Sequence, residues 1–176
     1  IVGLIDDFLN LKSIHRLIIQ FFSAVLIIYY SPLLINGLNI ESTLQAIFFT
    51  TCVIALINFI NFMDGIDGLV GSCMFILIFS VFLYRSNIEM GVWILGSLLG
   101  FILWNWSPAK IFMGDIGSTF LGAYYSLLVF QSKNFEEAVS LLLIGTPLIG
   151  DALTCVLRRF FAKQNPFKAH KVHLYQ

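Results

Sequence analysis

The sequence predicts an all-α fold, a polytopic transmembrane helix bundle with about six spans, and three observations carry that expectation. Hydrophobic residues fill 59% of the 176 positions and charged residues only 11%, against roughly a quarter charged in a soluble globular domain. The mean hydropathy is +0.90. The apolar residues are also gathered into long runs separated by short polar stretches, the pattern of membrane-crossing helices. A single membrane domain over residues 1–176 is expected. The chain opens on IVGLIDD without a Met and closes on HLYQ, which suggests a fragment lacking N-terminal spans of a longer protein.

The runs fall, in order, at 17–34, 44–63, 69–84, 91–106, 116–131 and 138–157. The first follows Asp6 and Asp7, which can cap a helix start, and it passes Tyr29 and Tyr30, aromatics suited to a membrane interface. The second ends in NFMDGIDGL, where the acids begin, and the third starts immediately afterwards and ends at Tyr84. The fourth carries Gly91, Gly96 and Gly100, small residues that allow close helix approach, and ends at Trp104 and Trp106. The fifth follows FMGDIGS and carries Gly122, again suited to packing, while Ser118 can cap its start. The sixth contains GTPLIGDAL with Asp151, which either pairs with Arg158 or Arg159 or packs between helices. Three runs are about sixteen residues long, so length alone leaves room for a re-entrant segment.

Net charge is zero, so no overall bias points to nucleic acid, and the positions of the charges carry the information. Six crossings place residues 1–16, 61–69, 106–116 and 158–176 on one side and 35–43, 85–90 and 132–137 on the other. The first side holds Lys12, Arg16, Lys110, Arg158, Arg159, Lys163, Lys168 and Lys171; the second holds only Arg85 and Lys133. The positive-inside rule makes the first side cytoplasmic. All the aspartates fall on or near it, and Glu41, Glu89, Glu136 and Glu137 fall on the other. Cys52, Cys73 and Cys155 sit in apolar runs without paired spacing and read as small buried hydrophobes.

Four separated stretches therefore meet at one face: GLIDDF, NFMDGIDGL, SPAKIFMGDIGS and RRFFAKQNPFKAHKVH. Carboxylates at a membrane edge point to function because they are expensive to place there. Asn58, Asn61, Asp64 and Asp67 share a three-residue spacing that would align them on a helix, either as a polar seam or as part of a site. The spacing lacks the pattern of an EF-hand. Asp115 lies between Gly114 and Gly117 at a helix start, a place for a phosphate and its metal. His170 and His173, with Arg158 and Arg159, suit an anion better than zinc, since no Cys partners are nearby; the arginines also fit plain interfacial anchoring. Acids facing such cations suit a magnesium-bridged diphosphate. A transporter or channel using the aspartates for cations is the alternative, and it would need acids through the depth of the spans. A scaffold subunit would leave the paired acids and histidines unexplained.

These motifs, in this order and across nearly the whole chain, resemble the polyprenyl-phosphate N-acetylhexosamine-1-phosphate transferases, glycosyltransferase family 4 in broad terms. Its members include O-antigen and teichoic-acid initiating enzymes and the phospho-N-acetylmuramoyl-pentapeptide transferase. The resemblance implies transfer of a sugar-1-phosphate from a UDP-sugar to undecaprenyl phosphate, with release of UMP and with Mg²⁺, or Mn²⁺ in its place. It implies catalytic roles for Asp6, Asp7, Asp64 and Asp67, a metal-binding role for Asp115, and substrate contacts from Asn61, Phe112, Arg158, Arg159, His170 and His173, with Phe112 able to stack on uracil. Either a single displacement or an aspartyl phosphoenzyme is compatible with it. The segment AHKVHLYQ departs from the three-histidine run of the muramoyl enzyme and is closer to the O-antigen type. The implied setting is the bacterial inner membrane with a cytoplasmic active site and room for a homodimer. Relatives have about ten or eleven spans.

Overall fold

The computed structural model describes residues 13–34, 43–85 and 88–162. Among them the secondary structure is entirely helical: α1 (Ser13–Tyr29), α2 (Thr43–Phe62), α3 (Leu69–Arg85), α4 (Ile88–Asn105), α5 (Gly114–Phe130), α6 (Phe135–Ile144) and α7 (Thr146–Phe161). The first five lie within a few residues of the apolar runs, because each run is bounded by residues that either break a helix or prefer water. The turn after α2 begins where the Met63 amide is shared between the carbonyls of Phe59 and Ile60 at 3.3 and 3.2 Å. It closes at Gly68, whose φ of 75° lies in the left-handed region that glycine enters without steric penalty.

The sixth run is not one helix. It divides at Gly145 into α6 and α7, which are bent by 76° relative to each other. Pro147 lacks an amide hydrogen and cannot continue the ladder from α6, but it is well suited to the first turn of a new helix. The break is held in place by the buried Tyr125 of α5, whose hydroxyl donates to the Leu141 carbonyl at 2.9 Å. Beside it, an apolar groove is lined by Cys73, Ile76, Leu77, Gly145 and Leu148.

Helix length also qualifies the expected six crossings. Among the described residues, α2 alone is long and apolar enough to span a bilayer, and the bent α6–α7 pair adds a second if taken as one span. The apolar helices Ile14–Tyr29, Leu69–Arg85 and Gly91–Asn105 are shorter. At 1.5 Å per residue, a 17-residue helix reaches about 25 Å, short of the roughly 30 Å hydrocarbon layer unless flanking residues help.

Helices α2 and α5 form the centre. They pack on each other, α1 lies against both, α7 adds to α2, and α4 packs mainly on α3. Val53, Ile57 and Ile60 of α2 meet Leu121, Tyr125 and Leu128 of α5 within one buried apolar cluster. Gly122 makes this closeness possible: a Cβ there would stand 2.8 Å from Ile57 Cα and 3.0 Å from its carbonyl oxygen. Gly91 likewise faces the Phe82 ring, whereas Gly96 and Gly100 have nothing within 4 Å, so the expected packing role is met at the first of these and not at the other two. Tyr29, Tyr30, Tyr84, Trp104 and Trp106 are exposed, in keeping with interfacial positions near helix ends.

At the end of the bundle opposite the aspartate motifs, Arg85 of α3 donates through Nε to Glu137 at 2.7 Å and through Nη2 to the Leu128 carbonyl at 2.9 Å. Glu137 also accepts from the Lys133 amide at 2.8 Å, and Asn134 caps α6 by accepting from the Glu137 amide at 2.9 Å. The two ends thus differ in kind. Here a single acid is tied to a basic residue, which also reaches the main chain of α5; the other end gathers several acids.

Candidate active site

The stripe NFINFMDG splits into two functions. Asn58 donates to Gln20 Oε1 of α1 at 2.8 Å and to the carbonyl of Ile54, which makes it a polar seam between helices. Asn61, one turn later, leaves that seam. Its Nδ2 donates to Asp115 Oδ1 at 2.9 Å and to Ser118 Oγ at 2.8 Å, joining the last turn of α2 to the first turns of α5. The aligned stripe ends there, because α2 stops at Phe62 and Asp64 and Asp67 lie in the following turns. That corrects the expectation of one helical line from Asn58 to Asp67.

Asp115 is the second residue of α5, next to Gly114 with φ 63°. A carboxylate there is favoured by the partial positive charge of the helix N-terminus. Its other oxygen, Oδ2, accepts from Arg16 Nη1 at 2.5 Å, an ion pair between residues far apart in sequence. Ser118 does not cap the helix as expected: it is fully buried on the first turn, accepts from Asn61 and donates to the Gly114 carbonyl at 2.9 Å.

Asp64 follows in the turn after α2 and is partly buried. Burial, and secondarily the negative charge of Asp115, push its carboxyl up to about 6. The two carboxylates are thus close enough for the charge of one to favour the protonated form of the other. Asp67 is used differently. Its Oδ2 accepts from the Ala109 amide at 3.0 Å, while the Gly68 amide donates to Asn105 Oδ1 at 2.8 Å and Asn105 Nδ2 donates to the Ile111 carbonyl at 2.8 Å. These bonds lash the α2–α3 turn to the α4–α5 loop, and that loop also holds a cis Ser107–Pro108 peptide and Lys110 Nζ 5.0 Å from the Trp104 ring centre.

Phe112 stands on the same loop, 76% exposed and two residues ahead of Gly114, so its ring face is open to a planar ligand. Arg158 is exposed on α7 and Asp151 of the same helix is buried. Asp6, Asp7, His170, His173 and the Arg159 side chain lie outside the described residues. Among the expected site residues, Asn61, Asp64 and Asp115 are brought together. Sequence reasoning placed Arg16 and Ser118 at this end without giving either a contact with Asp115 or Asn61, and it did not single out Asn105.

Among the described residues no group of three or more His, Cys, Asp or Glu converges as a metal cage. Asp64 and Asp115 nonetheless fit magnesium, which takes one or two protein carboxylates and leaves the remaining positions to phosphate and water. With Asn61 orienting one acid and Arg16 facing it, the site can hold a divalent ion and a polyanion side by side.

The sequence profile described as Glycosyl transferase family 4 matches residues 1–133. The chain belongs to glycosyl transferase family 4. The matched stretch contains the whole Asn61–Asp64–Asp115 cluster together with Arg16. Among family relatives, the chain is 33% identical over 93 residues to a Bacillus subtilis protein named probable undecaprenyl-phosphate N-acetylglucosaminyl 1-phosphate transferase, covering 50% of this chain and 26% of that one. It is 33% identical over 191 aligned positions to a phospho-N-acetylmuramoyl-pentapeptide-transferase of Listeria monocytogenes, covering 92% of this chain and 56% of that one. A putative glycosyltransferase of Methanocaldococcus jannaschii is 25% identical over 154 residues, covering 86% and 50%. The chain thus spans about half the length, or less, of these curated relatives.

Proposed function

We propose that the protein transfers a sugar-1-phosphate of the N-acetylhexosamine type from a UDP-sugar to undecaprenyl phosphate, releasing UMP, at the cytoplasmic face of a bacterial inner membrane. The observation that carries the reading is the meeting of Asn61, Asp64, Asp115 and Arg16 at one end of an apolar helical bundle. Membership of a glycosyl transferase family and relatives whose names specify undecaprenyl phosphate and phospho-sugar transfer support it. The reading takes six crossings, counting the α6–α7 pair as one, which would put the acids on one side and the Arg85–Glu137 pair on the other.

In the proposed reaction, an oxygen of the lipid phosphate forms a bond to the β-phosphorus of the UDP-sugar while the bond from that phosphorus to the bridging oxygen breaks, and UMP leaves with the bridging oxygen. Asp64 and Asp115 would hold Mg²⁺, which supplies neutralisation of the diphosphate charge when bound. Asn61 fixes the orientation of the Asp115 carboxylate. Asp67 fixes the loop that presents Phe112, which stacks on the uracil. Asp6 or Asp7 assists the attacking phosphate, and Arg158, Arg159, His170 and His173 contribute cationic and hydrogen-bonding contacts to the substrates. The apolar groove beside Gly145 suits the polyprenyl chain, since it begins near the first turn of α3, close in sequence to the Asp67 turn.

The polymer served is of the O-antigen or lipopolysaccharide type. The test is UMP release by the full-length protein supplied with undecaprenyl phosphate and a panel of UDP-N-acetylhexosamines, with Asp115→Asn as control. Metal-dependent UMP release that disappears in the variant is expected. Release from no donor by correctly inserted protein would remove the reading, and an undiminished Asp115→Asn enzyme would remove the metal assignment.

A further inference from the structure

Asp115 is held from two sides by donors of different charge. Asn61, a neutral amide, takes Oδ1 at 2.9 Å; Arg16, a fixed cation, takes Oδ2 at 2.5 Å. Only the second donor brings a net charge to the carboxylate. The amide sets its direction, while the guanidinium supplies the positive charge that a divalent ion would otherwise bring to the same group. The pair is partly exposed, 36% for the arginine side chain and 34% for the aspartate, so the guanidinium can leave the carboxylate without entering an apolar layer. Arg16 also sits on α1, while Asn61 and Ser118 fasten Asp115 to the α2–α5 seam. The movable partner is therefore the arginine.

We propose that Arg16 is a positioning residue that acts as a resident counter-ion: it occupies Asp115 Oδ2 in the empty protein, competes with the divalent cation for that carboxylate, and passes to a phosphate oxygen of the substrate when the cation binds. The inference rests on the reading of Asp115 as a metal-holding residue. It gives the protein weak affinity for the metal alone and stronger affinity once a diphosphate is present to receive the guanidinium. Arginine suits the exchange because its planar fork matches carboxylate and phosphate oxygens alike.

The experiment is Mn²⁺ binding to the full-length protein in lipid nanodiscs, followed by the electron paramagnetic resonance of the free ion, with and without uridine diphosphate. Arg16→Gln is expected to bind Mn²⁺ alone about tenfold more tightly than the parent, the effect of removing a unit charge from roughly 6 Å of a divalent ion at a water-like dielectric. Arg16→Lys, which keeps the charge on a single-point donor, falls between the two and carries the test if the glutamine variant does not fold. Uridine diphosphate should raise the Mn²⁺ affinity of the parent more than that of Arg16→Gln. Equal or weaker Mn²⁺ binding by both variants, with binding still lost in Asp115→Asn, overturns the counter-ion role and leaves the metal assignment standing. Mn²⁺ binding that is indifferent to Asp115→Asn overturns both.

Discussion

Replacing Asn61 by alanine tests the centre of the site, because one side chain makes two separable bonds there. The bond to Asp115 Oδ1 at 2.9 Å has a charged acceptor and the bond to Ser118 Oγ at 2.8 Å a neutral one. Hydrogen bonds to charged groups contribute about 1.5–3 kcal/mol and neutral ones about 0.5–1.5, so Asn61→Ala should destabilise the fold by about 2–4 kcal/mol. A double-mutant cycle separates the two contributions: the coupling of Asn61→Ala with Asp115→Ala should be about 1.5–3 kcal/mol, and that with Ser118→Ala about 1 kcal/mol. Unfolding of the purified protein in mixed micelles, followed by tryptophan fluorescence, supplies the free energies. Activity should fall more steeply than stability, since the freed carboxylate loses the direction in which it faces the substrate. A coupling to Asp115 below about 0.5 kcal/mol would refute the reasoning, because it would mean that the amide and the carboxylate do not meet in the folded protein.

Gly122→Ala should destabilise by about 1–3 kcal/mol, even though alanine favours a helix by about 1 kcal/mol, because the new methyl meets Ile57 backbone atoms at 2.8 and 3.0 Å; denaturant midpoints check this. Arg85→Met should destabilise by about 3–5 kcal/mol by stranding the Glu137 carboxylate, which is only 7% exposed, while folded protein keeps its turnover; unfolding and UMP-release measurements on one preparation separate these. Asp64, raised to about 6, binds its proton more tightly when folded, so the stability this contributes is complete below the unfolded value near 3.8 and is lost as pH rises through 6. The stability of Asp64→Asn relative to the parent should therefore grow by about 1 kcal/mol between pH 5 and 7.5, after allowance for partial exposure, and a flat difference contradicts the assignment.

The helices were legible because outward-facing and core-facing positions are both apolar, so each element stands out as a run whose edges are polar. The run 44–63 and helix Thr43–Phe62 nearly coincide for this reason. The same uniformity concealed the break in the sixth run: hydropathy continues smoothly through Gly145, and the signal lay in the Gly-Thr-Pro order, which removes a ladder bond without lowering the apolar content. At the site, Asp115 was recognisable from its glycine neighbours and its place before an apolar run. The Arg16 contact was not, since it depends on the rotation of α1 about its axis relative to α5, and that rotation is decided by packing. Asp67 shows contacts that spacing does not reveal. Its residue type and spacing match those of Asp64, yet in the structure its carboxylate accepts from a backbone amide and ties two loops.

The contact at Gly122 has a consequence for which parts of the bundle can move. Where main chain abuts main chain, there are no long side chains to repack, so neither helix can slide or roll without a collision. The Asn61 and Asp115 they carry form a fixed datum, and changes of shape at this end fall to the loops and to α1. A bundle built this way keeps its acidic end true by making its middle unable to yield.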